Sequence, residues 1–131
     1  MAIKIIRLGT PRSSNEGLRI GTVRRPPRGV PKAEFASQDW YDVWYPNLSP
    51  EPDTMQLALA AQKSGDDKAW AGFQRKFRTE MRAPGASHSL DLLAALSHNT
   101  NFAIGCYCED EARCHRSLLR ELLNERGAKI S

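Results

Sequence analysis

The stretch NFAIGCYCEDEARCHR, Asn101 to Arg116, decides the fold. Its first half, Asn101 to Cys108, is a continuous apolar run with the length of a buried central strand. A short acidic loop, Glu109-Asp110-Glu111, follows. Beyond it, Leu118, Leu119, Leu122 and Leu123 recur on one face of a helix that Gly127 stops. The unit is a strand, a loop and a helix. Cysteine, histidine and arginine are gathered at its junction.

Outward from this unit the pattern repeats. Ile3 to Leu8 is apolar and β-branched, bounded by Gly9 and Pro11, and is expected to be a strand. Thr10 to Gly17 forms a loop. The alternation from Leu18 to Arg25 predicts a second strand, which ends before Pro26-Pro27 because proline lacks the N–H a ladder needs. Arg28-Gly29-Val30-Pro31 is a turn. Trp40 to Tyr45 suits a short third strand. From Asp53 the residues favour helix until Ser64-Gly65. Asp66-Asp67 open a second helix, with acids at its positive end. Trp70, Phe73, Phe77 and Met81 form one apolar stripe along it, the mark of a core-facing helix. Pro84-Gly85 is expected to end that helix, and Ser87 or Ser89 to cap a third carrying Leu90, Leu92, Leu93 and Leu96. Ala128 to Ile130 suits a final edge strand. The expected architecture is α/β, one compact three-layer-like domain over 1–131, with a small, mostly parallel sheet flanked by helices.

Composition narrows the function classes. The chain has 131 residues, 40% hydrophobic and 26% charged, ordinary for one globular domain. No apolar run approaches the ~20 residues that span a bilayer, so no membrane partner is expected. The first residues are too short an apolar stretch for a signal peptide. Three cysteines within nine positions do not make a secreted disulfide framework. Together these features lead to the expectation of a cytoplasmic protein. The net charge of +4 is uneven. Residues 1–32 hold Lys4, Arg7, Arg12, Arg19, Arg24, Arg25, Arg28 and Lys32 against Glu16 alone, 8 − 1 = +7. Such an end suits a phosphate pocket, a nucleic-acid face or a solvated surface.

The chemistry centres on Cys106 to Arg116. Cys106 and Cys108 share one face near the carboxyl end of a strand, where ligands bind in open α/β sheets. Cys114, His115 and Arg116 fall at or inside the first turns of the next helix, where free N–H groups favour an anion and lower a thiol pKa. Arg116 adds a planar cationic fork suited to phosphate or carboxylate. Three chemistries compete. One is an anion or nucleotide pocket. Another is nucleophilic catalysis by Cys114 with His115 as base. The third is a metal site of Cys106, Cys108, Cys114 and His115. Against the metal, Cys114 and His115 as helix neighbours point about 100° apart. A purely structural role competes with all three, since cysteine often packs as a small hydrophobe.

The block CYCEDEARCHRSLL resembles the C-terminal signature of the domain-of-unknown-function 488 family, whose YeaO-like members are small bacterial α/β proteins. IKIIRL, GLRIGTVRRPPRGVPK, WYPNLSP and FQRKFRTEM match in the same order over nearly the whole chain. The resemblance implies no particular reaction. The family's arginine turn carries over as Arg24, Pro27, Arg28 and Gly29. Val23 stands where the family often has an acid, and Pro26 where it often has an aromatic residue.

These readings combine into one expectation. If the early and late strands are parallel neighbours, their carboxyl ends converge on one cleft. Arg24, Arg28 and Arg116 then hold an anionic small molecule, a nucleotide or phosphorylated metabolite, with Cys106, Cys108 and Gly29 lining the pocket. Cys114 and His115 are the candidate catalytic pair. The alternatives are a nucleic-acid module using the basic N-terminal face and a metal-binding or thiol redox-sensing protein. Trp40, Tyr41, Trp44 and Tyr45 suit core and surface packing around an edge strand better than a stacking platform. Cofactor, oligomeric state and enzymatic status are not readable.

Overall fold

The computed structural model describes all residues, Met1–Ser131. Its centre is a strand, Phe102–Cys106, in which every residue is buried. This strand (β4) pairs in parallel with β1 (Ile3–Arg7) on one side and β2 (Leu18–Gly21) on the other. A two-residue β3 (Val43–Trp44) completes the four-stranded, wholly parallel order β1-β4-β2-β3. In register, Ile5, Ile104 and Ile20 lie side by side. The expected final strand is a single parallel bridge between Ile3 and Ile130.

Side chains of a strand alternate between its faces. Ile3, Ile5, Ile20, Phe102 and Ile104 share one face and join the main core. Four helices cover it: α1 (Pro52–Ser64), α2 (Asp67–Glu80), α3 (Pro84–Leu96) and α4 (His115–Glu125). The stripe Trp70, Phe73, Phe77 and Met81 lies in this core as expected, with the three rings of Trp70, Phe73 and Phe77 stacked in sequence. Leu118, Leu119, Leu122 and Leu123 enter from α4.

The opposite face is covered by irregular chain, which makes the third layer. Arg19 is fully buried there, in a two-point ion pair with buried Glu16, at 2.7 and 2.8 Å. Both N–H groups of its Nη1 donate to main-chain carbonyls, those of Thr10 and Asp39. Burying a charge requires this completeness, because an unpaired one costs several kcal/mol.

Three local expectations are corrected. β2 stops at Gly21 rather than Arg25: the Thr22 N–H makes the last ladder bond, to the Gly105 carbonyl, which the Thr22 hydroxyl also caps. Pro84 opens α3 instead of closing α2, since proline suits the first helical position. Ser87 and Ser89 therefore lie inside that helix and do not cap it. No helix is long and apolar enough to cross a membrane.

Candidate functional site

All strands run the same way, so their carboxyl ends share one edge of the sheet. That edge carries Arg7 from β1, the segment 22–28 after β2, and Cys106 to Cys108 after β4. The segment after β2 is strapped in place. Trp44 Nε1 donates to the Val23 carbonyl at 2.7 Å, and the Tyr107 hydroxyl donates to the Arg25 carbonyl at 2.9 Å. Tyr107 and Arg25 stand between two cavities and line both.

The larger cavity, about 650 Å³, is lined among others by Arg7, Arg25, Arg28, Trp40 and Tyr107. It has three cations and no acid in its wall. Trp40 and Tyr107 meet edge to face, centroids 5.8 Å apart. Trp40 reaches the wall over Gly9, whose φ of +89° suits glycine and whose added Cβ would fall 2.8 Å from the indole. Arg7 donates to the Tyr107 carbonyl at 3.3 Å and lies 3.5 Å from exposed Glu109. Arg25 and Arg28 extend from the Pro26-Pro27 turn, with no side-chain hydrogen bond or ion pair to the protein.

The smaller cavity, about 340 Å³, is lined by Arg24, Arg25, Met55, Cys106, Cys108 and His115 among others. Here the thiols converge. Cys114 is the N-cap of α4, with extended φ −127° and ψ 152°, and His115 is the first helical residue. The Sγ atoms of Cys106 and Cys114 are 2.6 Å apart, and Cys114 Sγ lies 3.8 Å from His115 Nδ1. His115 Nε2 is 2.7 Å from the Thr22 carbonyl oxygen, which can only accept, so Nε2 carries the proton and Nδ1 faces the sulfurs bare. Burial holds the His115 pKa low, in the neutral form.

The three thiols share their protons unequally. The neighbouring thiols of Cys106 and Cys114 draw Cys108 well below the usual thiol range, helped by Gln62, whose Nε2 donates to its sulfur at 3.7 Å. The neighbouring thiols of Cys108 and Cys114, together with burial, push Cys106 up. For Cys114 the bond from Cys106 is outweighed by Cys108 and by burial, leaving it at about 11. The sequence singled out Cys114 as the nucleophile, but Cys114 and Cys106 are buried while Cys108 is half-exposed.

The expected arginines separate. Arg24 does line the thiol cavity, yet its guanidinium is engaged by the carbonyls of Ser49 and Pro50, at 3.1 and 3.2 Å. Arg28 lines the larger cavity. Gly29, at φ +76°, is a turn residue and lines neither. Arg116 is buried beneath the thiols, donating to the Cys108 carbonyl at 2.5 Å, with Nε unpartnered. Burial opposes its charge, but the sulfurs of Cys106 and Cys114 and the carboxylate of Glu111 prevail and raise its pKa. Arg7, Arg25, Trp40 and Tyr107 were not picked out for the anion site. The double arginine before Pro26-Pro27 was the available signal for Arg25. Arg7 and Trp40 join only through strand order.

A family model described as the active DUF488-N3 subclade matches residues 3–127. No curated protein and no solved structure matches the chain.

Proposed function

The chain belongs to the DUF488 family, in its active DUF488-N3 subclade, and from that premise we propose that the larger cavity binds an anionic small molecule, a nucleotide or phosphorylated metabolite. The observation that carries this is the state of Arg25 and Arg28. Both are exposed, both line a concave site, and neither has an anionic partner in the protein. Guanidinium forks bind phosphate at two points, and Trp40 and Tyr107 offer ring faces and edges to a base or sugar. The subclade's description as active suits turnover as well as binding.

The nucleic-acid alternative draws less support. Of the basic residues before position 33, Arg19 is spent on Glu16, Arg12 on Asp42 at 2.8 Å, and Arg24 on main-chain carbonyls. Arg7, Arg25 and Arg28 gather around a cavity rather than across an open face.

Calorimetric titration with pyrophosphate, AMP and ADP tests the proposal. The wild-type chain is expected to bind at least one of them. Arg25→Gln and Arg28→Gln should each weaken it roughly 10- to 100-fold, the value of one lost charged hydrogen bond. Failure of all three probes, with steeply salt-dependent binding of a single-stranded oligonucleotide, would overturn it in favour of the nucleic-acid reading.

A further inference from the structure

The thiol cluster has a geometry that anion binding does not explain. β4 ends at Cys106, Cys108 follows two residues later, and one turn of 3-10 helix (Glu111–Arg113) brings the chain back to Cys114. Donor atoms of Cys106, Cys114 and His115 all lie within 4.8 Å of one another, and all three residues are buried.

The sequence objection to joint ligation by Cys114 and His115 does not hold in this structure. It assumed both residues were helical. Cys114 is extended, so the helical separation of about 100° does not apply, and its Sγ and His115 Nδ1 lie on the same side of the junction. Cys114 Sγ lies 3.8 Å from His115 Nδ1, close to the roughly 3.6 Å edge that a ~2.3 Å metal–sulfur and a ~2.1 Å metal–nitrogen bond span in a tetrahedron.

The surroundings are built for ligands. Thr22 O takes the Nε2 proton and fixes the tautomer with Nδ1 inward, the usual arrangement behind a metal-bound histidine. Gln62 donates to Cys108 Sγ and also, at 2.6 Å, to the Arg113 carbonyl, which steadies the returning loop. Arg116 is 3% exposed, lies under the cluster and has its Nε unpartnered. Three thiolates and one divalent ion carry a net charge of −1, which a buried guanidinium balances.

We propose that Cys106, Cys114 and Nδ1 of His115 bind a thiophilic divalent cation, zinc by the chemistry of the donor set, and that Cys108, which shares the cavity wall but stands outside this three-donor group, turns in as the fourth ligand. Binding forms three metal–sulfur bonds and one metal–nitrogen bond, and the protons still held by Cys106 and Cys114 leave to solvent. Cys106 and Cys114 move apart from 2.6 Å to accommodate the ion. With four protein ligands the site is closed, so its role is structural. It clamps the end of β4 to the start of α4 and holds Tyr107, the wall shared with the anion cavity.

The test uses the full chain, kept reduced and anaerobic, titrated with cobalt(II) chloride. One equivalent should produce the intense visible bands of tetrahedral cobalt and near-ultraviolet thiolate charge transfer, both abolished by zinc chloride. Cys108→Ser alters a half-exposed position, so the chain should fold, shown by unchanged circular dichroism. Its charge-transfer intensity should fall by about a third and its affinity by at least ~10-fold. Three outcomes would overturn the site: no tetrahedral spectrum while three free thiols titrate, charge transfer unchanged in Cys108→Ser, or a mass two hydrogens low that marks a Cys106–Cys114 disulfide. None depends on nucleotide affinity, so this site and the anion cavity stand or fall separately.

Discussion

The ring of His115 donates from Nε2 to the main-chain oxygen of Thr22 at 2.7 Å, joining the first turn of α4 to the residue that follows β2. A carbonyl has no proton to offer, so the tautomer follows from geometry. Long-range proton–nitrogen correlation spectra should show His115 with a protonated Nε2 and an unprotonated Nδ1. Reversed assignments would mean that the bond to Thr22 is absent in solution.

Arg19→Met should destabilise the chain by about 3–5 kcal/mol, because it strands the buried Glu16 carboxylate. The double variant with Glu16→Gln should recover much of that loss, since an apolar side chain beside a neutral amide leaves no buried charge. Urea unfolding measures both. Equal losses in the single and double variants would show that the ion pair is not what Arg19 contributes.

Acid should weaken the same layer. Hydrogen bonds from Arg19 hold Glu16 below the ordinary carboxylate range. Burial pushes Asp42 up, but hydrogen bonds from Arg12 and from the Arg19 N–H outweigh it, and its pKa is also lowered. Each unfolded carboxylate binds its proton near pH ~4. Their stabilisation is therefore present above about pH 4 and is lost as pH falls through the lower folded values. Melting temperature followed downward from about pH 6 should drop in that window, and Asp42→Asn should flatten the drop.

Arg24 and Arg28 should behave differently although four residues separate them. Arg24→Gln removes bonds to the Ser49 and Pro50 carbonyls and should lower thermal stability with little change in pyrophosphate affinity. Arg28→Gln should do the reverse, since no group in the protein holds Arg28. A swap of these outcomes would relocate the anion to the thiol cavity.

Gly9→Ala forces a side chain into a left-handed conformation, at roughly 1–2 kcal/mol, and presses a methyl group against Trp40. Stability should fall and nucleotide affinity should fall with it as the indole shifts. Quenching of tryptophan fluorescence by ADP reads the second effect directly.

These contrasts mark how far the sequence carries. β4 and the α2 stripe were legible because burial on both faces, or along one face, writes itself into apolar periodicity. The thiol junction was legible as composition but not as geometry. Whether Cys114 is helical or extended is a one-residue boundary, and periodicity does not resolve boundaries. The Glu16–Arg19 pair was invisible for a different reason: nothing in a surface-like acidic and basic pair says that loop chain will cover it. The anion wall depends on Arg7 and Tyr107 becoming neighbours, which is a property of strand order and not of either residue's surroundings in sequence.

That strand order has a consequence for how the molecule comes into being. Apart from the single bridge of Ile3 to Ile130, β1 pairs with β4 alone, from Ile3 opposite Phe102 to Arg7 opposite Cys106. During synthesis the first strand must therefore wait for a partner made almost a hundred residues later, and such distant pairings are slow to close. Helices α1 to α3 emerge before β4, carrying an apolar surface with no completed sheet to cover. The strand that unites the sheet also ends in the cysteines, so both cavities take shape only in the last stage of folding.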